Sequence, residues 1–365
     1  MADASKKSAL GLHLDTQKFL NPGDLTEKDF KKSSKEEKQG HVTVRKSVSY
    51  WADAWRRLKA NKVAMVAMFI IIFLFIFAFF GPLFVDYTYD QQIRGSANLR
   101  PMEFSEKEQK LIDSGEKVFP HLFGTDGHGR DLLVRLMYGT RISMSIGVIA
   151  AILVLVIGSL YGAVSGYNGG MVDRVMMRIA EIIYSIPDVL VVLLLAISMK
   201  PALQEFANNN LNNALGKFIN ALSANIISIF AAFALLYWVS MAMIIRGQIM
   251  QLKEQEFVLA AKSLGASNGR IITKHLLPNC IGSMIAATCL QIPSAIFLES
   301  FLSFLGFGVN APMTSLGSLA ADALGGMYTY QYRLVIPSVF LSLMILSFNL
   351  FGDGLRDALD PRLKK

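Results

Sequence analysis

The chain is 365 residues long and 53% hydrophobic, but only 18% of its residues are charged. Soluble proteins carry about a quarter charged residues, so this composition argues against a soluble enzyme and indicates a membrane protein. The net charge of +8 does not indicate a nucleic-acid-binding protein. Its basic residues concentrate in the N-terminal segment and between Arg246 and Lys274, as the positive-inside rule requires of cytoplasmic segments.

The N-terminal part of the chain divides into a polar leader and an amphipathic segment. Residues 1–47 are rich in lysine and poor in aromatic residues, which predicts a disordered cytoplasmic leader. In residues 48–62, Trp51 and Trp55 recur at helical spacing opposite Arg56. This pattern predicts an interfacial helix with its aromatic side in the lipid headgroups. A solvated surface helix is the alternative.

Six apolar runs are long enough to cross a bilayer as helices, which predicts an all-α integral membrane protein. Basic segments alternate with an acidic loop at residues 86–138, so we expect both termini in the cytoplasm and this loop outside. Residues 139–360 would form a core of five spans that includes a cytoplasmic loop at residues 250–279. We place the six spans near residues 63–85, 142–165, 176–198, 221–245, 280–305 and 334–352.

The sequence lacks the residue patterns of an enzyme. Its five histidines show no metal-ligand spacing such as HExxH. The stretch GTDGHGRD, residues 124–131, has the glycine spacing of a phosphate-binding loop, but Arg130 and Asp131 stand where that loop needs lysine and serine or threonine. We therefore expect no catalytic site, no metal site, no bound cofactor and no ATP hydrolysis by this chain itself.

Polar side chains within the predicted spans are candidates for a translocation path, because such groups are costly at membrane depth and usually face a bundle interior or water. Hydrogen bonding between helices is the alternative. Pro187 lies inside the predicted third span and would kink it. Arg246 ends the fourth span, where snorkelling to the interface accounts for its charge. The path candidates are Asp188, Gln291 and Glu299.

A stretch between the fourth and fifth spans, EFVLAAKSLGASNGRIITKHLLPN at residues 256–279, carries charges and a central glycine. Ala260, Ala261, Leu264 and Val258 lie on or near one side of a short predicted helix, with small residues where another surface can approach closely. The stretch predicts a helix–turn–helix on the cytoplasmic face, which we call the elbow. An amphipathic loop resting on lipid headgroups is the alternative.

Two residues define the expected geometry of the elbow. Gly265 adopts positive φ without steric cost, so it should end the first helix and turn the chain. A second helix should begin at Asn268 or Gly269, and Pro278 fits the first turn of the fifth span. A rigid attachment to a membrane helix would suit mechanical coupling to a cytoplasmic partner.

The elbow resembles the conserved cytoplasmic loop of ABC-importer permeases, which contains Glu-Ala-Ala, then a glycine and a closing Leu-Pro. In this sequence, Leu259 stands where glutamate is usual, and Glu256 is a candidate for the missing carboxylate. The matching positions are Leu259, Ala260, Ala261, Gly265, Leu277 and Pro278.

Further stretches resemble one branch of that family, the oligopeptide/dipeptide permeases of the second-subunit type. They are HLFGTDGHGRDLLVRLMYGTRIS, GYNGGMVDRVMMRIAEIIYSIP and ESFLSFLGFGVNAP. The resemblance covers roughly residues 50–360. It implies the six-helix fold of a type I ABC importer permease, placed in a bacterial or archaeal cell membrane and importing peptides.

The resemblance also implies the partners of the chain. They are a homologous second permease, two cytoplasmic ABC ATPases that use ATP and Mg²⁺, an extracytoplasmic peptide-binding protein and the lipid bilayer. The alternatives are an ABC permease for another cargo such as nickel, a self-sufficient secondary transporter or channel, and a membrane-bound enzyme. The ATPases would dock on the elbow at Glu256, Leu259, Ala260, Ala261, Leu264, Gly265 and Pro278.

Overall fold

The computed structural model describes residues 49–359, so the predicted leader at residues 1–47 lies outside the described part of the chain. Within that part, all extended regular structure is helical, and one isolated β-bridge joins Thr125 and Asp131. The helices are α1 (Tyr50–Ala60), α2 (Lys62–Phe79), α3 (Glu106–Asp113), α4 (Leu132–Asn168), α5 (Gly170–Tyr184), α6 (Asp188–Asn209), α7 (Ala214–Leu222), α8 (Ala224–Leu252), α9 (Glu256–Ser263), α10 (Asn268–Phe304), α11 (Leu316–Ala323) and α12 (Tyr332–Leu359).

Six of the helices in residues 49–359 are long and apolar enough to cross a membrane: α2, α4, α6, α8, α10 and α12. This number confirms the six-span prediction. The helices α4 and α10 have 37 residues each. At 1.5 Å per residue they extend roughly 55 Å, well beyond a hydrocarbon core of about 30 Å. Both helices therefore project polar ends out of the bilayer.

The third span begins later than predicted. The chain at residues 176–198 is divided between α5 and α6, and Pro187 precedes the first residue of α6, Asp188. Proline lacks an N–H and disfavours helical conformation at the residue before it, so Pro187 separates two helices instead of kinking one. The apolar residues of α5 that suggested a longer span belong to one face of an amphipathic helix.

The acidic loop ends earlier than residue 138, and the core begins before residue 139. Asp131 caps the N-terminus of α4, since its side chain accepts a hydrogen bond from the backbone N–H of Val134 at 2.9 Å. Capping by aspartate satisfies one of the free N–H groups of a first helical turn. The loop accordingly ends at Asp131, and α4 includes the first charged turns that the composition assigned to the loop.

The helix α4 lies at the centre of the fold, against both α8 and α10, while α12 packs against α2 and α10. One buried hydrophobic cluster combines residues of the spans, such as Ile245 and Ile249, with Val258, Ile271 and Leu276 of the elbow. Burial of such side chains stabilises by about 1.5–3 kcal/mol each. The elbow is therefore part of the same hydrophobic core as the membrane helices.

Candidate functional site

The turn of the elbow has the geometry that its glycine predicts. Gly265 has φ of +80° and follows the end of α9. Its N–H donates to the carbonyl of Lys262 at 2.9 Å, and the N–H of Ala266 donates to the carbonyl of Ala261 at 3.0 Å. These two bonds form a Schellman motif, which satisfies the last carbonyls of a helix and requires a left-handed residue at the glycine position.

The second arm of the elbow is continuous with the fifth span. It begins at Asn268, one of the two expected positions, and runs as α10 to Phe304. Pro278 therefore lies within a long helix and not in the first turn of a separate one. A π-helical turn at Ile272–Leu276 and a 3-10 turn at Leu277–Cys280 accommodate the missing N–H of the proline. Displacement of this arm would displace the fifth span directly.

The first arm of the elbow, α9, has an inner and an outer side. Val258 and Ala261 face inward, with exposed fractions of 0% and 9%. The prediction that Val258 and Ala261 share one side of the helix with Ala260 and Leu264 is thus wrong, because α9 packs Val258 and Ala261 into the hydrophobic core. Leu264 is 89% exposed. We call the exposed residues Phe257, Leu259, Ala260 and Leu264 the outer elbow face.

The other elbow residues named from the sequence are also accessible. Glu256 is exposed in the first turn of α9, where a carboxylate interacts favourably with the helix dipole. Gly265 and Pro278 are exposed as well. The sequence did not lead us to include Phe257 among the exposed residues of α9. The signal that could have indicated it is an aromatic residue three positions before Ala260 on a short helix.

The elbow contacts the end of α4 through polar groups. Tyr167 donates a hydrogen bond from its hydroxyl to Oδ1 of Asn268 at 3.0 Å. The ammonium of Lys262 lies 5.3 Å from the centre of the Tyr167 ring, which is within the range of a cation–π interaction. Both arms of the elbow, α9 and α10, are thereby connected to one residue of α4.

Next to this contact, Arg246 of α8 pairs with Asp173 of α5. The guanidinium donates from Nε and Nη2 to the two carboxylate oxygens, both at 2.5 Å, and Ser165 of α4 donates to Oδ1 at 2.5 Å. The hydrogen bonds from Arg246 lower the pKa of Asp173 to about 2, so the carboxylate is charged at neutral pH. Snorkelling therefore does not account for Arg246, whose partner lies 73 residues away in the sequence.

A row of glycines brings α4 and α8 into close contact. A Cβ atom at Gly158 would lie 2.6 Å from the carbonyl oxygen of Trp238, and one at Gly166 would lie 2.8 Å from that of Arg246. Gly162 lies equally close to the backbone of α8. The spacing G-x-x-x-G-x-x-x-G is typical of membrane helices whose backbones approach closely. This pattern is visible in the sequence alone.

The three residues expected along a translocation path occupy different environments. Asp188 is exposed and accepts a hydrogen bond from the hydroxyl of Tyr237 at 2.7 Å. Gln291 is half-buried on α10, eight residues before Glu299 and about 12 Å from it along the helix. Glu299 is fully buried and accepts a hydrogen bond from Ser143 at 2.8 Å. Glu299 of α10 thus forms a hydrogen bond with α4, which is the alternative to a place on the translocation path.

On the loop at the other end of α4, His121 lies buried between two carboxylates. Its Nδ1 lies 2.7 Å from Asp131 and its Nε2 lies 3.1 Å from Glu108. Burial alone would lower the pKa of His121, but its hydrogen bonds to Asp131 and Glu108 raise the pKa above the usual value. Tyr87 stacks on the imidazole at 4.7 Å. These contacts attach the loop, including α3, to the capping residue of α4.

The stretch GTDGHGRD forms a turn with buried ion pairs in the same loop. Asp126 is buried and accepts hydrogen bonds from Arg130 at 2.7 Å and from Arg135 at 2.5 Å. Arg135 also donates to Asp322 of α11 at 3.1 Å. The glycine spacing thus belongs to a turn that positions ion pairs. Across the described residues, His, Cys, Asp and Glu form no group of three or more suited to a metal ion.

Comparison with known families identifies the class of protein. Residues 155–365 match the family described as binding-protein-dependent transport system inner membrane component. Residues 49–101 match the N-terminal transmembrane domain of oligopeptide transport permease C. The chain therefore belongs to the family of inner membrane components of binding-protein-dependent transport systems. It is a multi-pass membrane protein and a transport subunit.

Individual relatives cover most of the chain. It is 44% identical to the dipeptide transport system permease protein DppC of Bacillus subtilis over 88% of both chains. It is 40% identical to the oligopeptide transport system permease protein OppC of the same organism, over 88% of this chain and 92% of the relative. The corresponding OppC of Escherichia coli K12 is 38% identical over 86% and 92% of the two chains.

Among solved structures, an inward-facing form of the MetNI methionine ABC transporter is similar to this chain. The TM-score is 0.43 at 19% identity, and the match covers 63% of this chain and 96% of the other.

Proposed function

We propose that this chain is a permease subunit of an ATP-driven importer of oligopeptides or dipeptides. The observation that supports this most directly is the elbow, an exposed apolar helix connected to the core of the membrane helices through a Schellman turn. The relatives named as dipeptide and oligopeptide permeases support the choice of cargo. In this proposal two cytoplasmic ABC ATPases hydrolyse ATP with Mg²⁺, and this chain binds neither.

The outer elbow face is the proposed docking surface for an ATPase subunit. Exposed apolar side chains are costly in water unless a partner covers them, and Leu264 is almost completely exposed. Glu256, Gly265 and Pro278 border that surface. Because α10 is continuous from Asn268 to Phe304, movement of a docked ATPase would tilt the fifth span. A homologous second permease would complete the path, and an extracytoplasmic peptide-binding protein would deliver the peptide.

The first experiment is gentle purification of the chain from its native membrane, with mass spectrometry of the proteins that accompany it. We expect a second permease of similar size and one or two ABC ATPases. Isolation of the chain alone, after crosslinking to retain weak partners, would contradict the importer proposal. Peptide cargo is tested separately, by uptake of ¹⁴C-labelled alanine peptides into vesicles that contain the purified complex and ATP.

The docking surface is tested by the substitution Leu264→Glu, which places a charge in the outer elbow face without touching the core. We expect the purified variant to lose its ATPase subunits while remaining in the membrane. Thr273→Glu is the matched control, because Thr273 is exposed on the second arm and lies outside the outer elbow face. Equal ATPase recovery with both variants would place the docking surface elsewhere.

A further inference from the structure

The last turn of α4 is the meeting point of three other parts of the chain. Ser165 contacts Asp173 of α5, the carbonyl of Gly166 accepts from Lys253 after α8 at 3.0 Å, and Tyr167 contacts Asn268 of the elbow. Three consecutive residues of one helix therefore face three different elements. We call Ser165, Tyr167, Asp173, Arg246 and Asn268 the junction.

The covalent connection from α4 to α5 is a glycine turn, so it does not fix the direction of α5. Gly169 and Gly170 have φ of +65° and +55°, and the space beside Gly170 is open. Asp173 lies in the first turn of α5 and is 7% exposed. Its two-oxygen pairing with Arg246 fixes both the position and the orientation of that turn, as a single hydrogen bond would not.

The direction of α5 matters because α5 leads into α6. The two helices are separated by Ser185–Pro187, and α6 is the least buried of the six spans, with 11% of its apolar window buried within the chain. Its first turn lies between α5, which precedes it, and α8, where Tyr237 donates a hydrogen bond to Asp188 at 2.7 Å. Asp173 therefore contributes, through α5, to the position of α6 at its cytoplasmic end.

The junction has a further connection, to the elbow. Lys262 on α9 and Asn268 on α10 both contact Tyr167, two residues after Ser165. The path from the elbow to Asp173 thus runs through one turn of α4, over contacts of 2.5 to 5.3 Å. The glycine-lined contact places this turn of α4 directly against the backbone of α8, so that α4 cannot move closer to α8 without a clash.

We infer that the junction transmits displacement of the elbow to α5 and α6, and that Asp173 is the positioning residue that couples these helices to it. This inference rests on the proposed function, because it requires an ATPase that moves the elbow. In this arrangement the elbow acts on two spans at once: on the fifth directly through α10, and on the third through Tyr167, Ser165 and Asp173.

The test compares Asp173→Asn with Glu181→Gln in the complete complex purified with its partner subunits. The first substitution removes the negative charge of the junction at nearly constant shape and leaves Arg246 without its carboxylate partner. The second removes the charge of an exposed ion pair with Arg178 on the same helix, at 3.2 Å, and is the matched control. We expect Asp173→Asn to lower the amount of ¹⁴C-labelled alanine peptide moved per ATP hydrolysed by about tenfold, with ATP hydrolysis maintained. Glu181→Gln should change neither quantity.

A second measurement does not depend on the cargo. Hydrogen–deuterium exchange is compared with and without ATP for peptides from the elbow and from α5. In the wild-type complex we expect ATP to change exchange in both regions; in Asp173→Asn the change should remain in the elbow and disappear from α5. If α5 responds equally in the variant, or if transport and hydrolysis fall in proportion, the inference is wrong. If the Asp173→Asn complex does not assemble, the same two measurements are made on Ser165→Ala, which removes one hydrogen bond of the junction. The same outcomes then support or contradict the inference. Absence of ATPase subunits from the wild-type complex would instead contradict the proposed function.

Discussion

At the scale of single residues, the buried acidic and basic side chains in the described part of the chain each have a specific partner. Glu299 is surrounded by serine hydroxyls, Asp126 by two guanidinium groups, and His121 by two carboxylates. Removing one member of a buried pair costs about 3–5 kcal/mol, because the other charge is left without compensation. Such side chains determine which helices can be neighbours, and the fold depends on them individually.

The cluster around His121 predicts a pH dependence of the loop at residues 86–131. The pKa of His121 is raised above 6.5, so the stabilisation by the charged imidazole is complete below pH 6.5 and is lost as the pH rises through the raised value. Burial would raise the pKa of Glu108, but hydrogen bonds from Ser105 and His121 lower it below 4.5. The stabilisation by the Glu108 carboxylate is therefore lost as the pH falls through its lowered pKa. The loop should be most stable between that pKa and the raised pKa of His121.

We expect His121→Asn to remove the alkaline part of this dependence, because the side chain no longer titrates. The measurement is hydrogen–deuterium exchange of the peptides from residues 86–131 between pH 6 and pH 10, corrected for intrinsic exchange. In the wild type, protection should fall above pH 6.5; in the variant it should be lower throughout and independent of pH. His128→Asn is the control, since His128 is exposed in the same loop. An identical alkaline loss in His121→Asn and in the wild type would contradict the assignment.

At the scale of helices, the positions of glycine explain both the turn of the elbow and the packing of the spans. Gly265 is required for its positive φ, with nothing near its side-chain position. Gly162 is required for the opposite reason, because its φ is helical and the backbone of α8 occupies the space of a side chain. The two glycines thus predict different consequences of substitution.

Gly265→Val is expected to strain the elbow without affecting its packing. A β-branched residue at a φ of +80° costs about 1–2 kcal/mol of backbone energy, so the turn should shift towards other conformations. In the complete importer we expect ATP hydrolysis to continue with less transport per ATP. Gly269→Val is the control, because Gly269 lies in the second arm without a positive φ and with open space beside it. Unchanged transport per ATP in Gly265→Val would show that coupling does not depend on the turn at Gly265.

Gly162→Ala is expected to destabilise the packing of α4 against α8. The added methyl group would overlap the carbonyl oxygen of Ala242, and overpacking of this kind costs about 1–3 kcal/mol. The measurement is the midpoint of thermal unfolding in detergent. Gly247→Ala serves as the control, since Gly247 lies on α8 with open space beside it and alanine favours helix. If the thermal midpoint of Gly162→Ala is as high as that of Gly247→Ala, α4 and α8 can move apart at little cost.

At the scale of the whole molecule, the two polar ends of α4 differ in structure. The end near Asp131 supports the loop at residues 86–131 together with α11, and the end near Tyr167 supports α5 and the elbow. About 55 Å of helix separates them, so the two sets of contacts lie on opposite sides of a bilayer. From the positive-inside rule we expect the elbow on the cytoplasmic side.

This assignment predicts the labelling of single cysteines in intact cells. A membrane-impermeant maleimide should modify Ser114→Cys, in the loop after α3, from outside. It should modify Ser263→Cys, at the end of α9, only after the membrane is permeabilised. Both serines are exposed, and replacing the two native cysteines by serine provides the background control. Labelling of Ser263→Cys in intact cells would reverse the topology.

The sequence alone determined the features that depend on residues close to one another along the chain. Six spans follow from apolar runs, and the turn at Gly265 follows from the freedom of a residue without Cβ. The importer-permease family followed from separate motifs in order, and the family match confirmed it. The glycine row from Gly158 to Gly166 was also readable, since its spacing alone indicates close helix packing.

Only the tertiary structure decided which side of each helix meets another part of the chain. Ala261 faces the core, because α9 is anchored through Val258 and Ala261. Arg246 pairs with Asp173 because the fold brings α5 and α8 together at the end of α4. Local pattern shows how polar a residue is, but its partner depends on long-range packing, which a single sequence does not contain.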